Sequence, residues 1–268
     1  MHVHFLDPYH DGRSLIHHLD ARVKLVLAIA YILAMSLTPA GAWPVYLMLA
    51  AILLAVEVLS EERIAFYLKR SLLALPFVLA ALPVIFTLPG PALVGFSIGS
   101  WQLQVSLPGV ERFISILIKS WASVQMAVVL TTTTPFPDLL MAMRALRLPR
   151  LLVGVIGLMW RYMFVLVDEA MRLNRARASR SGEADSAAGK TGGNFAWRAR
   201  VTGGMVGNLF MRSFDRSDRI YVSMLSRGYD GEVRSLPQPA APRWTWTVLA
   251  VGLLVLGLIT VIALLGWT

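Results

Sequence analysis

The chain has 268 residues, 56% of them hydrophobic, with a mean hydropathy of +0.62, a net charge of +9 and no cysteine. It is too apolar for an ordinary soluble domain, and without cysteine it has no disulfide, thiolate nucleophile or cysteine-held zinc. In a soluble protein the basic excess would suggest nucleic acid, but most Lys and Arg flank apolar segments, where retention on the cytoplasmic side of a membrane accounts for them and no nucleic-acid partner is implied.

The opening MHVHFLDPYHDGRSLIHHLDARVK lacks the order and cleavage site of a signal peptide. His2, His4, His10, His17 and His18 are imidazoles suited to cobalt or nickel. No spacing among them fixes a coordination geometry, and a surface-lying tail accounts for them, so no metal site is assigned.

A bilayer core requires about 20 mostly apolar helical residues. Candidate spans are Val23 to Thr38, Trp43 to Leu59, Ser71 to Leu88, Val110 to Thr134, and, at the end, Trp244 to Trp267. Charge placement orients them. Arg22 and Lys24 put the N-terminus inside; the uncharged 39–44 turn lies outside; the charged 61–70 loop lies inside; the uncharged 89–109 loop lies outside; and MRALRLPR at 143–150 lies inside. Within the spans, Glu57 is expected to snorkel from near a cytosolic end, and Lys119 to contact another subunit.

Another apolar stretch, LLVGVIGLMWRYMFVLV at 151–167, breaks the alternation. It has Arg144, Arg147 and Arg150 before it, Arg172, Arg175, Arg177 and Arg180 after it, and Arg161 within it. Both ends favour the cytoplasm, so a helix lying in the interface is expected; a sixth span would export about a dozen arginines. The expected fold class is an all-α membrane protein. Residues 1–134 are a tail and four transmembrane helices, 135–243 a cytosolic or interfacial insert, and 244–268 one final transmembrane helix with its end outside.

Three amphipathic helices are expected in the insert. Pro135 and Pro137 end the fourth span, and Asp138 starts a helix that carries Leu139, Met143 and Leu146 on one face and stops at Pro149. The next, about 150–179, carries Leu152, Met159, Met163, Leu166, Ala170 and Leu173 on a stripe, with Asp168 and Arg172 spaced for an ion pair. A small polar loop follows at 181–194. The third helix, about 201–227, has Val206, Leu209, Phe214, Tyr221, Met224 and Leu225 as its apolar set and Gly228 as a left-handed stop. Arg180 and Arg227 each end a basic helix and are followed by glycine within two residues, an arrangement that presents a guanidinium for forked bonding to a partner's carboxylate.

Ser226-Arg227-Gly228-Tyr229-Asp230-Gly231, after an Arg-rich amphipathic helix, resembles the second Ala-Arg-Gly signature of the T components of energy-coupling factor transporters. Arg177-Ala178-Ser179-Arg180-Ser181-Gly182 resembles the first, HHLDARVKL at 17–25 the family's opening motif, and WRYMFVLVDEAMRL at 160–173 the helix leading into the first signature. The N-terminus and overall pattern are most similar to the CbiQ-like cobalt or nickel subgroup. The chain departs from the pattern in having Ser226 in place of alanine and Ser181 between Arg180 and Gly182, so either Arg177 or Arg180 is the first key arginine. The resemblance implies a non-catalytic scaffold that binds no cofactor. It would join two cytosolic ABC ATPase subunits to a substrate-binding membrane subunit, with the coupling ends at Arg177 or Arg180 and at Ser226, Arg227 and Gly228 docking on the ATPases. It implies cobalt or nickel import, with a vitamin importer as the alternative.

Other readings fit less well. ADSAAGKT at 184–191 has Gly-Lys-Thr but lacks the first glycine and the preceding strand of a phosphate-binding loop. A membrane enzyme acting on lipid or isoprenoid phosphates needs convergent acids, but Asp168 and Glu169, adjacent on a helix, do not face one another. A self-contained permease needs polar groups inside its spans, and these are nearly absent.

Overall fold

A computed structural model describes residues 14–62, 64–89, 91–98, 101–180, 194–231 and 242–267, together with Tyr9 and Gly12. The polar loop at 181–193 with its Gly-Lys-Thr run, His2, His4, His10 and Thr268 lie outside the described residues. The chain divides into two compact units. One is His2–Leu146 together with Gln238–Thr268; the other is Arg147–Pro237.

The first unit holds α1 (Ala21–Leu37), α2 (Trp43–Leu59), α3 (Ile64–Ser71), a single 3₁₀ turn (Leu72–Ala74), α4 (Leu75–Ala80), α5 (Val84–Thr87), β1 (Ala92–Ile98), β2 (Trp101–Ser106), α6 (Leu107–Thr133), α7 (Phe136–Ala145) and, from the chain's end, α10 (Arg243–Trp267). The second holds α8 (Arg150–Arg180) and α9 (Phe195–Ser226). Local chemistry sets the boundaries. Asp20 caps α1, its carboxylate accepting from Arg22 N–H at 2.8 Å. Ser106 caps α6 by accepting from Gly109 N–H at 3.2 Å, and a Cβ at Gly109 would stand 2.7 Å from the carbonyl oxygen of Ile85, which only glycine tolerates.

Among the described residues, three helices are long and apolar enough to cross a membrane: α6 over Leu107–Thr133, α8 over Arg150–Ser179 and α10 over Arg243–Gly266. Two expectations change here. The expected span Ser71 to Leu88 is not one helix but a 3₁₀ turn and two short helices, because Pro76 and Pro83 remove backbone donors and crowd the preceding turn. The uncharged loop expected at 89–109 contains an antiparallel hairpin, β1 with β2, so the unit is predominantly rather than wholly helical.

The core of the first unit is built from α1, α2, α6 and α10. Tyr31, Met35, Val45, Leu49, Ala122, Met126, Leu256 and Ile259 are buried together. Tyr31 Oη donates to the Leu49 carbonyl at 3.1 Å and Tyr67 Oη bonds Ser60 Oγ at 2.7 Å, so the buried tyrosines are satisfied. Lys119, expected to contact another subunit, is engaged within this chain. Its Nζ donates to the carbonyls of Ser36 at 3.2 Å and Thr38 at 2.5 Å, closing the C-terminal end of α1. Lys24 reciprocates from α1, donating to the Thr133 carbonyl at the end of α6 at 2.9 Å. Glu57 does not snorkel. It is fully buried, with no hydrogen-bond partner for either carboxylate oxygen.

Candidate coupling site

The second unit is an antiparallel helix pair. Glu169 on α8 meets Arg212 on α9 at 2.8 Å, and Arg177 Nη1 donates to Thr202 Oγ1 at 3.5 Å, so rising positions on one helix meet falling positions on the other. Glu169 holds two cations, one oxygen to Arg212 and the other to Arg172 at 3.1 Å. The expected pairing of Asp168 with Arg172 is therefore replaced by Glu169 with Arg172, one turn apart. Asp168 points a hundred degrees away around the helix, whereas Glu169 faces α9 and is only 14% exposed in its side chain. Arg212 is further fixed by donating through Nε to Asn208 Oδ1 at 3.0 Å.

α9 starts earlier than the expected 201, at Phe195, where Asn194 caps the helix by accepting from the Phe195 N–H at 2.7 Å. No described residue of α9 is buried. Of its expected apolar set, Leu209 and Met224 are half-buried, while Val206, Phe214, Tyr221 and Leu225 are exposed.

The helix ends that carry the candidate arginines differ in what surrounds them. Arg227 is the exposed C-cap residue of α9. Gly228 follows with φ +80° and donates to the Leu225 carbonyl at 2.9 Å, and Tyr229 N–H reaches the Met224 carbonyl at 3.1 Å. This bond pair is the left-handed helix stop that the sequence predicts. A Cβ at Gly228 would meet nothing within 4 Å, so glycine is required there by the dihedral and not by space. Ser226, in place of alanine, turns its hydroxyl back to the Ser223 carbonyl at 2.9 Å. At the other end, Arg180 is the last residue of α8, while Arg177, one turn earlier, is directed at Thr202 of α9. Ser181 and Gly182 lie outside the described residues.

With the two helices antiparallel, the two arginine ends lie on opposite sides of the Glu169–Arg212 clamp. Eleven residues separate Glu169 from Arg180 and fifteen separate Arg212 from Arg227; at 1.5 Å per residue the ends stand on the order of 40 Å apart along the pair. Among the described residues no group of three or more His, Cys, Asp or Glu gathers to hold a metal. His17 bonds Ser14 Oγ through Nδ1 at 2.7 Å.

A helical membrane protein with long apolar helices, joined to an antiparallel basic helix pair that ends in arginine at both extremities, is the class that fold and site define. The chain belongs to the CbiQ family of cobalt transport proteins, whose model matches residues 12–239. It is 28% identical to the energy-coupling factor transporter transmembrane protein EcfT of Lactococcus lactis, over 83% of each chain. It is 29% identical to the cobalt transport protein CbiQ of Rhodobacter capsulatus, over 60% of this chain and 63% of that one. A Methanocorpusculum labreanum protein, provisionally named a fused cobalt transport protein CbiMQ, is 27% identical over 81% of this chain but only 35% of its own length. The chain thus spans about a third of the fused relative and just under two thirds of the Rhodobacter one.

Proposed function

We propose that this chain is the non-catalytic transmembrane scaffold of an ATP-driven importer. The arginine ends of α8 and α9 dock on two cytosolic ATPase subunits, and the apolar helices hold a separate substrate-binding membrane subunit. The observation that carries the reading is the repetition of one feature at two opposed helix C-termini. A pair of equivalent ends suits a pair of like partners, and forked guanidinium–carboxylate bonding gives each end its specificity. Of the two candidates on α8, Arg180 fits better, because Arg177 is occupied by α9. Cobalt is the cargo that the family description supports, and nickel is its chemical neighbour. A scaffold serving another cargo, such as a vitamin, is the second reading, since the Lactococcus relative, covered over 83% of each chain, is named for energy coupling and for no metal.

The topology that accompanies this reading keeps the N-terminus and the α8–α9 pair cytoplasmic and the C-terminus outside. The length and apolarity of α8 favour a crossing, whereas the arginines at both its ends favour a helix on the cytoplasmic surface. Cysteine labelling at Gly189→Cys and Thr268→Cys in intact cells separates them: a reagent that reaches position 189 from outside overturns the cytoplasmic placement. The docking role is tested by Arg180→Glu/Arg227→Glu, with co-purification of the ATPase subunits and cobalt uptake as readouts. The double reversal sets like charges at a desolvated contact, costs several kcal/mol of assembly, and abolishes both readouts. Normal assembly and uptake at normal expression rule out docking. Intact assembly that imports a vitamin and no metal upholds the scaffold and replaces the cargo.

A further inference from the structure

Every residue from Asn194 to Arg200, the start of α9, is exposed. Phe195 is 84% exposed, more than any other large apolar side chain among the described residues, and Trp197 is 46% exposed. Both rings are carried on a capped first turn. Asn194 Oδ1 accepts from the Phe195 N–H at 2.7 Å, and the Arg198 N–H donates to the Asn194 carbonyl at 3.0 Å. Exposed apolar residues scattered singly are ordinary. Two aromatics within three positions, each followed by an arginine three residues on, have instead the composition of an interface centre.

Two placements narrow what covers these rings. The first is around the helix. At 3.6 residues per turn Phe195 and Trp197 stand about 160° apart, on opposite sides. Arg198 neighbours Phe195 on one side and Arg200 neighbours Trp197 on the other. No Asp or Glu occurs from Ser186 to Phe214, so the charge here is of one sign. The second placement is along the helix pair, where the Arg177–Thr202 bond sets the level. From that bond α8 continues three residues to Arg180, and α9 extends seven residues back to Phe195. The pair is antiparallel, so both run the same way, by about 5 and about 10 Å at 1.5 Å per residue. The start of α9 therefore reaches about one turn past the end of α8 that carries the candidate arginine.

A bilayer surface fits this arrangement poorly. A helix lying in the interface buries one face and turns its cations to the other, whereas here each side has a ring and an arginine. A concave protein surface closing around the helix start meets both sides at once. We propose that the start of α9 is an aromatic plug for a socket on the ATPase subunit that docks at the Arg180 end. Phe195 and Trp197 fill apolar hollows on its two sides, and Arg198 and Arg200 supply the positive charge that an acidic rim complements. This rests on the docking reading above and deepens it: the contact is made by two helices, the end of one and the start of the other.

The photoreactive residue p-benzoylphenylalanine replaces Phe195 in one full-length chain and Trp197 in another. Each is co-expressed with the ATPase and substrate-binding subunits, and the purified membrane complex is irradiated. The expected result is an adduct with the same ATPase subunit from both positions. An ATPase adduct from one position and a phospholipid adduct from the other overturns the two-sided socket. Adducts only with phospholipid, with the substrate-binding subunit or within this chain, or none at all, overturn the proposal altogether. In parallel, Phe195→Ser/Trp197→Ser lowers co-purified ATPase by about tenfold or more, as truncation of buried interface aromatics does, and leaves the yield of the chain itself unchanged. If that variant assembles normally while Arg180→Glu/Arg227→Glu does not, docking by the arginines stands and the plug falls. If the charge reversal assembles normally while the aromatic variant does not, the arginine reading falls and the plug stands.

Discussion

The chain contains two antiparallel helix pairs held together in opposite ways. In α1–α6 each helix lends a lysine to the carbonyl end of the other, Lys24 to Thr133 and Lys119 to Ser36 and Thr38, around a buried core that includes Met35, Ala122 and Met126. In α8–α9 the links named are polar and exposed, Glu169 to Arg212 and Arg177 to Thr202, and α9 buries nothing. A pair locked at both ends and packed between them has one arrangement. A pair joined by exposed polar side chains, each worth up to about 1 kcal/mol, can change its angle at little cost. The proposed role, converting motion of a partner into motion of membrane helices, needs one region of each kind.

The comparison breaks first under equal truncation. Leu49 is fully buried and Phe210 is 66% exposed. Leu49→Ala leaves a cavity, a change that costs about 2–5 kcal/mol in water-soluble cores. Lipid is as apolar as leucine, so only the packing part of that cost survives in a bilayer, and the lower end of about 2 kcal/mol is expected. Phe210→Ala stays within about 0.5 kcal/mol for the isolated chain. Reversible unfolding in mixed micelles reads both, and equal costs would mean that α9 is packed as tightly as α2.

The lysine locks come next. Lys119→Met leaves the carbonyl of the buried Thr38 without its donor, and Lys24→Met does the same at the buried Thr133. An orphaned buried polar group costs about 1–3 kcal/mol. Because the two sites lie at opposite ends of the pair, the double variant is the sum of the singles within about 0.5 kcal/mol. A double variant no worse than either single would show that the ends act as one lock. Glu57→Met has the opposite sign. It replaces two buried oxygens without partners by a side chain of similar length, and raises stability by about 1–3 kcal/mol in the same assay.

How far these regions are legible in the sequence follows from the range of the interaction concerned. Helix bounds set by local signals agree with the pattern: α2 over Trp43–Leu59 coincides with the apolar run, and Gly228 ends α9 as expected. Features decided by a distant partner are not visible. Nothing near Lys119 in the chain points to the end of α1, eighty-odd residues away. Asp168 has the better spacing to Arg172, yet Glu169 takes both arginines because it faces α9. The hairpin is a different case. Its signal, alternation of apolar residues on either side of Gly99-Ser100, is present in the sequence and is obscured only because the whole stretch is uncharged and reads as a loop between spans. For the candidate site, residue types and order are legible, whereas the separation of Arg180 from Arg227 to opposite ends of a pair requires knowing that α8 and α9 run antiparallel.

The smallest effect concerns the stop that presents Arg227. With φ at +80° and empty space around its missing side chain, Gly228 isolates the dihedral from any steric contribution. Alanine in the left-handed region costs about 1 kcal/mol, and asparagine, which visits that region more readily, costs less. The bonds that depend on the dihedral are Gly228 N–H to Leu225 and Tyr229 N–H to Met224. Native-state hydrogen exchange at Tyr229 therefore ranks Gly228 above Gly228→Asn above Gly228→Ala, the last by about fivefold in protection, since 1.4 kcal/mol corresponds to tenfold. Global unfolding does not change, because no buried residue of α9 depends on this turn. If ATPase co-purification falls in the same order while Arg227 is intact, the direction in which the helix end holds its guanidinium matters as well as the charge. If protection falls and assembly does not, the charge alone suffices, and the glycine serves only to end the helix.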